Sequence, residues 1–188
     1  MATTIKGAKS GLKKFRPGKP KEFKKLKVLD DVAIRARPGN DSVTYSANVE
    51  SEGTSDQSKD FYKTSIQFFG VEFGKRKSTK HSVPAKDPNG KLIFHSIPST
   101  VTNRVALKCS CDDFRFAFEK QLFDDKSLIG SFRKYKRKTP PGTRPQNPKN
   151  PNPVGHDFVN PDNLLGFCKH VNSLMRALNK SKFIKDKR

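Results

Sequence analysis

Tryptophan is absent from this 188-residue chain, and methionine and cysteine number only two and three. Hydrophobic residues make up 32% of the sequence, against roughly 45–50% apolar residues in an average globular domain, so part of the chain must lie outside any core. No apolar run approaches the ~18–20 residues of a membrane-spanning helix. The opening stretch "MATTIKGAKSGLKKFRPGKPKEFKKLK" holds no hydrophobic segment, and no secretory signal is expected there. Three cysteines are an odd number and too few for a disulfide framework, which points to a reducing compartment or to thiols with another use. Acidic residues are scarce as well, 18 against 39 Lys and Arg, leaving a net charge of +21.

That charge is unevenly placed. Residues 1–27 carry ten Lys/Arg against Glu22 alone, residues 132–149 carry seven and no acid, and residues 176–188 carry six against Asp186. Together these blocks account for the whole excess, so the remainder is balanced. Runs of like charge repel themselves and stay extended unless an anionic surface lies against them. Nucleic acid or an acidic protein face fits; a membrane does not, because no apolar helical face accompanies the charge.

Between the basic blocks the pattern is mostly β. "DVAIRAR" (31–37), "SVTYSANVE" (42–50) and "FYKTSIQFFGVEF" (61–73) alternate with period two, and Gly, Pro, Asn and Asp separate them. "KLIFHSI" (91–97) follows the turn signal "DPNG", and "RVALKCSC" (104–111) completes five expected strands of a small antiparallel sheet. After residue 111 the period changes. Asp112 and Asp113 are expected to cap a helix in which Phe114, Phe118 and Leu122 share a face. Residues 139–163 hold seven of the 13 prolines and read as an extended insertion. In "LLGFCKHVNSLMRALNK", Val171, Leu174, Met175 and Leu178 form an apolar helical stripe suited to core packing.

The cysteines carry the strongest signal. Cys109 and Cys111 stand two apart at a strand end, where residues i and i+2 face the same side. Cys168 stands two before His170 at a helix start, and no cysteine is left over. Three thiolates and one imidazole make a closed tetrahedral zinc site, with Zn–S at about 2.3 Å and Zn–N at about 2.0–2.1 Å. Lys108 and Lys169 flank the ligands and are expected to favour thiolates. His81 and His95 read as ordinary surface or core histidines. His156, in "VGHDF", is the alternative fourth ligand.

C-x-C followed by C-x-H, after strands and leading into a helix, resembles the SWIM-type zinc finger. The resemblance implies a structural Zn²⁺ held by Cys109, Cys111, Cys168 and His170, and a role in binding DNA or protein. The 56 residues between Cys111 and Cys168 are a longer spacer than that family usually has. The Pro/Arg/Asn-rich insert between "CSCDDFRF" and "GFCKH" is similar to that of small structural proteins of large tailed bacteriophages, a likeness covering about residues 104–175.

Enzymatic signatures are missing from the sequence. "GVEFGKRKST" (70–79) has three residues between its glycines and Arg76 after the lysine, where a phosphate loop needs four residues and Ser or Thr. A closed Cys₃His site leaves no position for water on the metal. The expectation is an α+β protein: a small antiparallel sheet followed by helices, zinc-stapled, with an extended basic arm over 1–27. The β-rich body spans 28–111, and a zinc-linked helical part spans 112–180 with the insertion at 132–163. A basic tail covers 181–188. The expected role is non-enzymatic: a structural protein of a virion tail, baseplate or neck, present in multiple copies and gripping acidic faces of its neighbours. The alternative is a nucleic-acid-binding SWIM-type protein of the cytoplasm or nucleoid, in which Phe15, Phe23 and Tyr135 among the basic residues allow base stacking.

Overall fold

A computed structural model describes residues 3–15, 26–51, 61–132 and 165–186. The Pro-rich insertion, His156, Phe23 and Tyr135 lie outside the described residues. The fold is α+β. Strands β1 (Ala33–Arg37), β2 (Ser42–Glu50), β3 (Phe61–Phe69), β4 (Phe73–Gly74), β5 (Val83–Lys86), β6 (Leu92–His95) and β7 (Val105–Cys109) form one sheet in the order β4-β6-β5-β1-β2-β3-β7. Every neighbouring pair is antiparallel except β1 and β5, which run parallel and meet only at Arg35↔Lys86.

The alternating pattern sets the register. Tyr45 opposes Ile66 and Ser46 opposes Ser65, so apolar side chains share one face and polar ones the other. A slip of one residue would turn the whole buried set to solvent, which is why such strands hold their pairing. The inner face presents Val43, Tyr45 and Val49 from β2, Ile66 and Phe68 from β3, and Leu107 from β7, all fully buried. Each such side chain contributes about 1.5–3 kcal/mol by leaving water.

Helices cover that face. α1 spans Ile5–Phe15, α2 Asp112–Ala117, α3 Glu119–Asp124 and α4 Lys169–Lys180. The expected stripe of Val171, Leu174, Met175 and Leu178 is buried on α4, which packs against β2, β3 and β7.

Four local features differ from the sequence expectation. The expected extended arm is helical over Ile5–Phe15. Thr4 caps this helix, its Oγ1 accepting from the Gly7 N–H at 3.2 Å, and Ile5 and Ala8 on one face are fully buried in the main core. A Cβ at Gly11 would land on the Leu165 carbonyl, so the helix backbone rests directly on the segment leading to Cys168. Second, the sheet has seven strands: the stretch expected as one strand over 61–73 divides into β3 and β4, which pairs with β6, and "VPAK" also pairs with β6 despite Pro84. Proline removes a ladder donor, a loss tolerated where the partnership with β1 is confined to one residue pair.

Third, the single helix expected after residue 111 is two short ones, broken at Phe118 (φ −128°). Phe114, Phe118 and Leu122 are nonetheless all fully buried. Finally, the C-terminal basic stretch is packed as far as Ile184, which is 3% exposed, and Phe183 stacks on Tyr45 with ring centroids 6.4 Å apart. Lys185 adds a backbone bridge: its N–H donates to the Pro98 carbonyl at 2.8 Å, and its carbonyl accepts from Thr100 N–H at 2.9 Å.

Candidate metal centre

The C-x-C and C-x-H pairs, separated by 56 residues in sequence, meet in space. Ligand atoms of Cys109, Cys111, Cys168 and His170 all lie within 4.8 Å of one another, and all four residues are buried. A tetrahedral zinc site has ligand–ligand edges of roughly 3.5–4 Å, so the donors stand close to the required arrangement.

Each donor is placed by its element. Cys109 is the last residue of β7 and opposes Thr64 of β3, whose Oγ1 lies 3.5 Å from the Cys109 sulfur. Cys111 is the N-cap of α2: its sulfur accepts the Phe114 N–H at 3.4 Å. The sulfur does here what Asp112 and Asp113 were expected to do; those acids occupy the first turn instead, where they complement the helix dipole. Cys168 is the N-cap of α4, with no cap hydrogen bond from its side chain, which leaves the sulfur to the cluster. His170 follows in the first turn of the same helix, its ring 4.6 Å from that of Tyr62.

Gly166 helps set the approach. A Cβ there would lie 2.6 Å from the Phe118 ring, so the strand of chain entering Cys168 passes over that ring as only glycine allows.

The electrostatics of the donor set favour a cation. Hydrogen bonds from Cys111 and then Cys168 pull the Cys109 thiol far below its usual range, against the effect of burial. The Cys111 thiol is pushed up, first by its hydrogen bond to Cys109. Cys168 is pushed up chiefly by burial. One thiolate is thus shared between two reluctant thiols. A divalent cation relieves that conflict by deprotonating all three.

His170 gives an independent sign. It is 2% exposed, yet neither ring nitrogen has a hydrogen-bond partner among the described residues. Leaving a buried polar atom unpaired costs about 1–3 kcal/mol, and coordination by one nitrogen offsets part of it. The residues present therefore fit a metal ion of zinc type: three sulfurs and one imidazole are a soft, closed donor set.

Among the flanking lysines, Lys108 is exposed and one residue from Cys109 on the strand, hence on the opposite face. The Phe114 N–H at the start of α2 favours negative charge on the Cys111 sulfur, although the hydrogen bond to Cys109 outweighs it. His95 is a core histidine: Nδ1 lies 2.7 Å from the Ser96 carbonyl and Nε2 lies 3.4 Å from the Tyr45 hydroxyl. His81 sits near the surface beside Glu72, at 3.8 Å. Sequence reading missed Thr64 and Tyr62 as neighbours of the centre. The period-two pattern placed them on the inner face with Ile66 and Phe68; only the β3–β7 register brings Thr64 opposite Cys109.

No known protein family, curated protein or solved structure matches this chain.

Proposed function

We propose that the protein is a zinc-stabilised structural component of a large assembly, with no catalytic role. The observation that carries this reading is the enclosure of the Cys₃His cluster. Its four donors come from β7 and the starts of α2 and α4, and all are buried. With four protein donors in place, zinc has no open coordination position for substrate, and its contribution is to hold distant segments together. The SWIM-like ligand order is consistent with a structural ion.

Assignment to a tailed-phage virion, in the tail, baseplate or neck, rests on the likeness of the Pro/Arg/Asn-rich insertion to those of phage structural proteins. In that setting the basic side chains of α1 and the basic segments at 16–27 and 132–149 meet acidic faces of neighbouring subunits, an arrangement favoured by opposite surface potentials. Quantitative mass spectrometry of purified particles tests the proposal. A fixed copy number matching the particle symmetry is expected. Absence from particles, with the free protein recovered on nucleic acid, overturns it in favour of the SWIM-type nucleic-acid-binding alternative.

A further inference from the structure

The helices cover one face of the sheet, and among the described residues no helix covers the other. On that open face the strands present short polar side chains: Thr44 and Ser46 from β2, Ser65 and Gln67 from β3. Ser46 and Ser65 are joined directly, Oγ to Oγ, at 2.8 Å. They floor a shallow groove of about 430 Å³. Long cationic side chains stand around it, with Arg35 and Arg37 on the β1 side and Lys63 on β3. Lys108 opposes Ser65 in register and continues the line onto β7.

None of these four cations makes an ion pair or side-chain hydrogen bond among the described residues. Two acids, Asp30 and Asp31, also line the groove. Asp30 is already engaged there, accepting from the Asn48 backbone and side-chain amides at 2.8 and 2.9 Å. The line from Arg35 to Lys108 crosses three inter-strand gaps and one residue pair of β rise, about 16 Å, and stops short of the Asn48↔Lys63 pair where Asp30 is bonded.

Aromatic rings lie at both ends of the same face of β3. Phe61 is 41% exposed, and Phe69 carries the Arg104 guanidinium 5.7 Å from its ring centre. Cations spaced across a polar floor, with flat rings at its ends, are the elements of a platform for a single nucleic-acid strand: phosphates meet Lys and Arg, bases stack on Phe, and hydroxyls and amides hydrogen-bond base edges. An acidic peptide would use the cations but has no use for the exposed ring of Phe61.

We infer that the uncovered face of β1-β2-β3-β7 binds a short stretch of single-stranded nucleic acid, with Arg35, Arg37, Lys63 and Lys108 on phosphates and Phe61 stacked on a base. The site uses residues outside the basic arms and lies across the sheet from the metal cluster, and it stands or falls independently of the assembly role.

The test uses the full-length, zinc-loaded chain and a fluorescent oligothymidylate, with binding followed by anisotropy across a salt series. A variant carrying Arg35→Gln, Lys63→Gln and Lys108→Gln keeps the arms intact. It is expected to bind at least tenfold more weakly and to lose about 2 from the slope of log affinity against log salt, at ~0.7 per single-strand phosphate. Phe61→Ala is expected to weaken binding roughly tenfold, the loss of one base stack. Affinity and slope unchanged in both variants would mean that the arms alone bind, and the inference fails. It fails equally if a poly-glutamate peptide binds as tightly as the oligonucleotide with the same sensitivity to the triple substitution. Should either variant melt below the parent chain, amide chemical-shift mapping on the unaltered protein decides. Shifts at Ser46, Ser65 and Gln67 on adding oligothymidylate support the site, and shifts confined to residues outside the sheet overturn it.

Discussion

Two parts of one sheet are held in different ways. β2, β3 and β7 carry Val43, Tyr45, Ile66, Phe68 and Leu107 into a core closed by α1–α4 and by the Cys₃His cluster. β5 and β6 bury Val83, Ala85, Ile93 and His95, of which Ala85 and Ile93 join Ala36 of β1 in a separate small cluster, to which Ile34 and Phe73 add partial cover. The ladder between the two parts narrows to Arg35↔Lys86. Strand pairing alone therefore does not equalise stability across the sheet: buried area and the metal-binding cluster lie almost entirely on one side. The β4-β5-β6 part is tied back by the contact of Tyr45 with His95 and by the Ser99↔Lys185 bridge.

The largest effect that would break this contrast is loss of the cluster. Cys168→Ser is expected to abolish tight zinc binding and to unfold the β2-β3-β7 part near room temperature, as followed by circular dichroism melting. Structural zinc can supply on the order of 10 kcal/mol, comparable with the entire stability of a small domain. A melting curve unchanged by this substitution would remove the staple from the account. Lower pH acts in the same direction. Coordinated thiols bind fewer protons than free ones, so stability and metal affinity both fall as acid protonates the ligands.

Core truncations sharpen the comparison. Leu174→Ala, within the main core, is expected to cost about 2–5 kcal/mol in urea unfolding. Ile93→Ala is expected near the bottom of that range, about 2 kcal/mol, because its cluster is small and can collapse. Equal losses at the two sites would contradict the unequal cores. In amide hydrogen exchange, β5 and β6 are expected to open before β2 and β3.

Two smaller effects test the ties. Burial holds the His95 pKa below its ordinary 6.5. Below about that pH the unfolded chain takes up a proton that the folded chain refuses, so stability falls as pH drops, by at most ~1.4 kcal/mol per unit. The difference between urea midpoints at neutral and mildly acid pH is therefore expected to shrink in His95→Gln. Thr4→Ala, which removes the α1 cap, is expected to cost about 1 kcal/mol. No loss would mean that the helix depends on Ile5 and Ala8 alone.

Much of the better-packed part was legible in the sequence. β2 was expected at 42–50 and lies there, since Val43, Tyr45, Ala47 and Val49 alternate cleanly with polar residues. Cys109, Cys111, Cys168 and His170 were expected together and are together, because two short-range pairs with no spare cysteine left few other arrangements. The thinner part was harder to see. "VPAK" is short and contains a proline, and its strand state depends on pairing with Leu92–His95 rather than on its own pattern. Lysine density concealed α1, whose signal was the spacing of Ile5 and Ala8 behind Thr4. Helix breakage at Phe118 carries no proline or glycine mark; it follows from packing.

The most direct test of the central claim is X-ray absorption on the purified full-length protein together with its metal content. The account predicts one zinc ion per chain, with three sulfur neighbours at about 2.3 Å and one nitrogen at about 2.0–2.1 Å. Metal-free protein that melts as well as the loaded form, or a shell of oxygen and nitrogen alone, would contradict it.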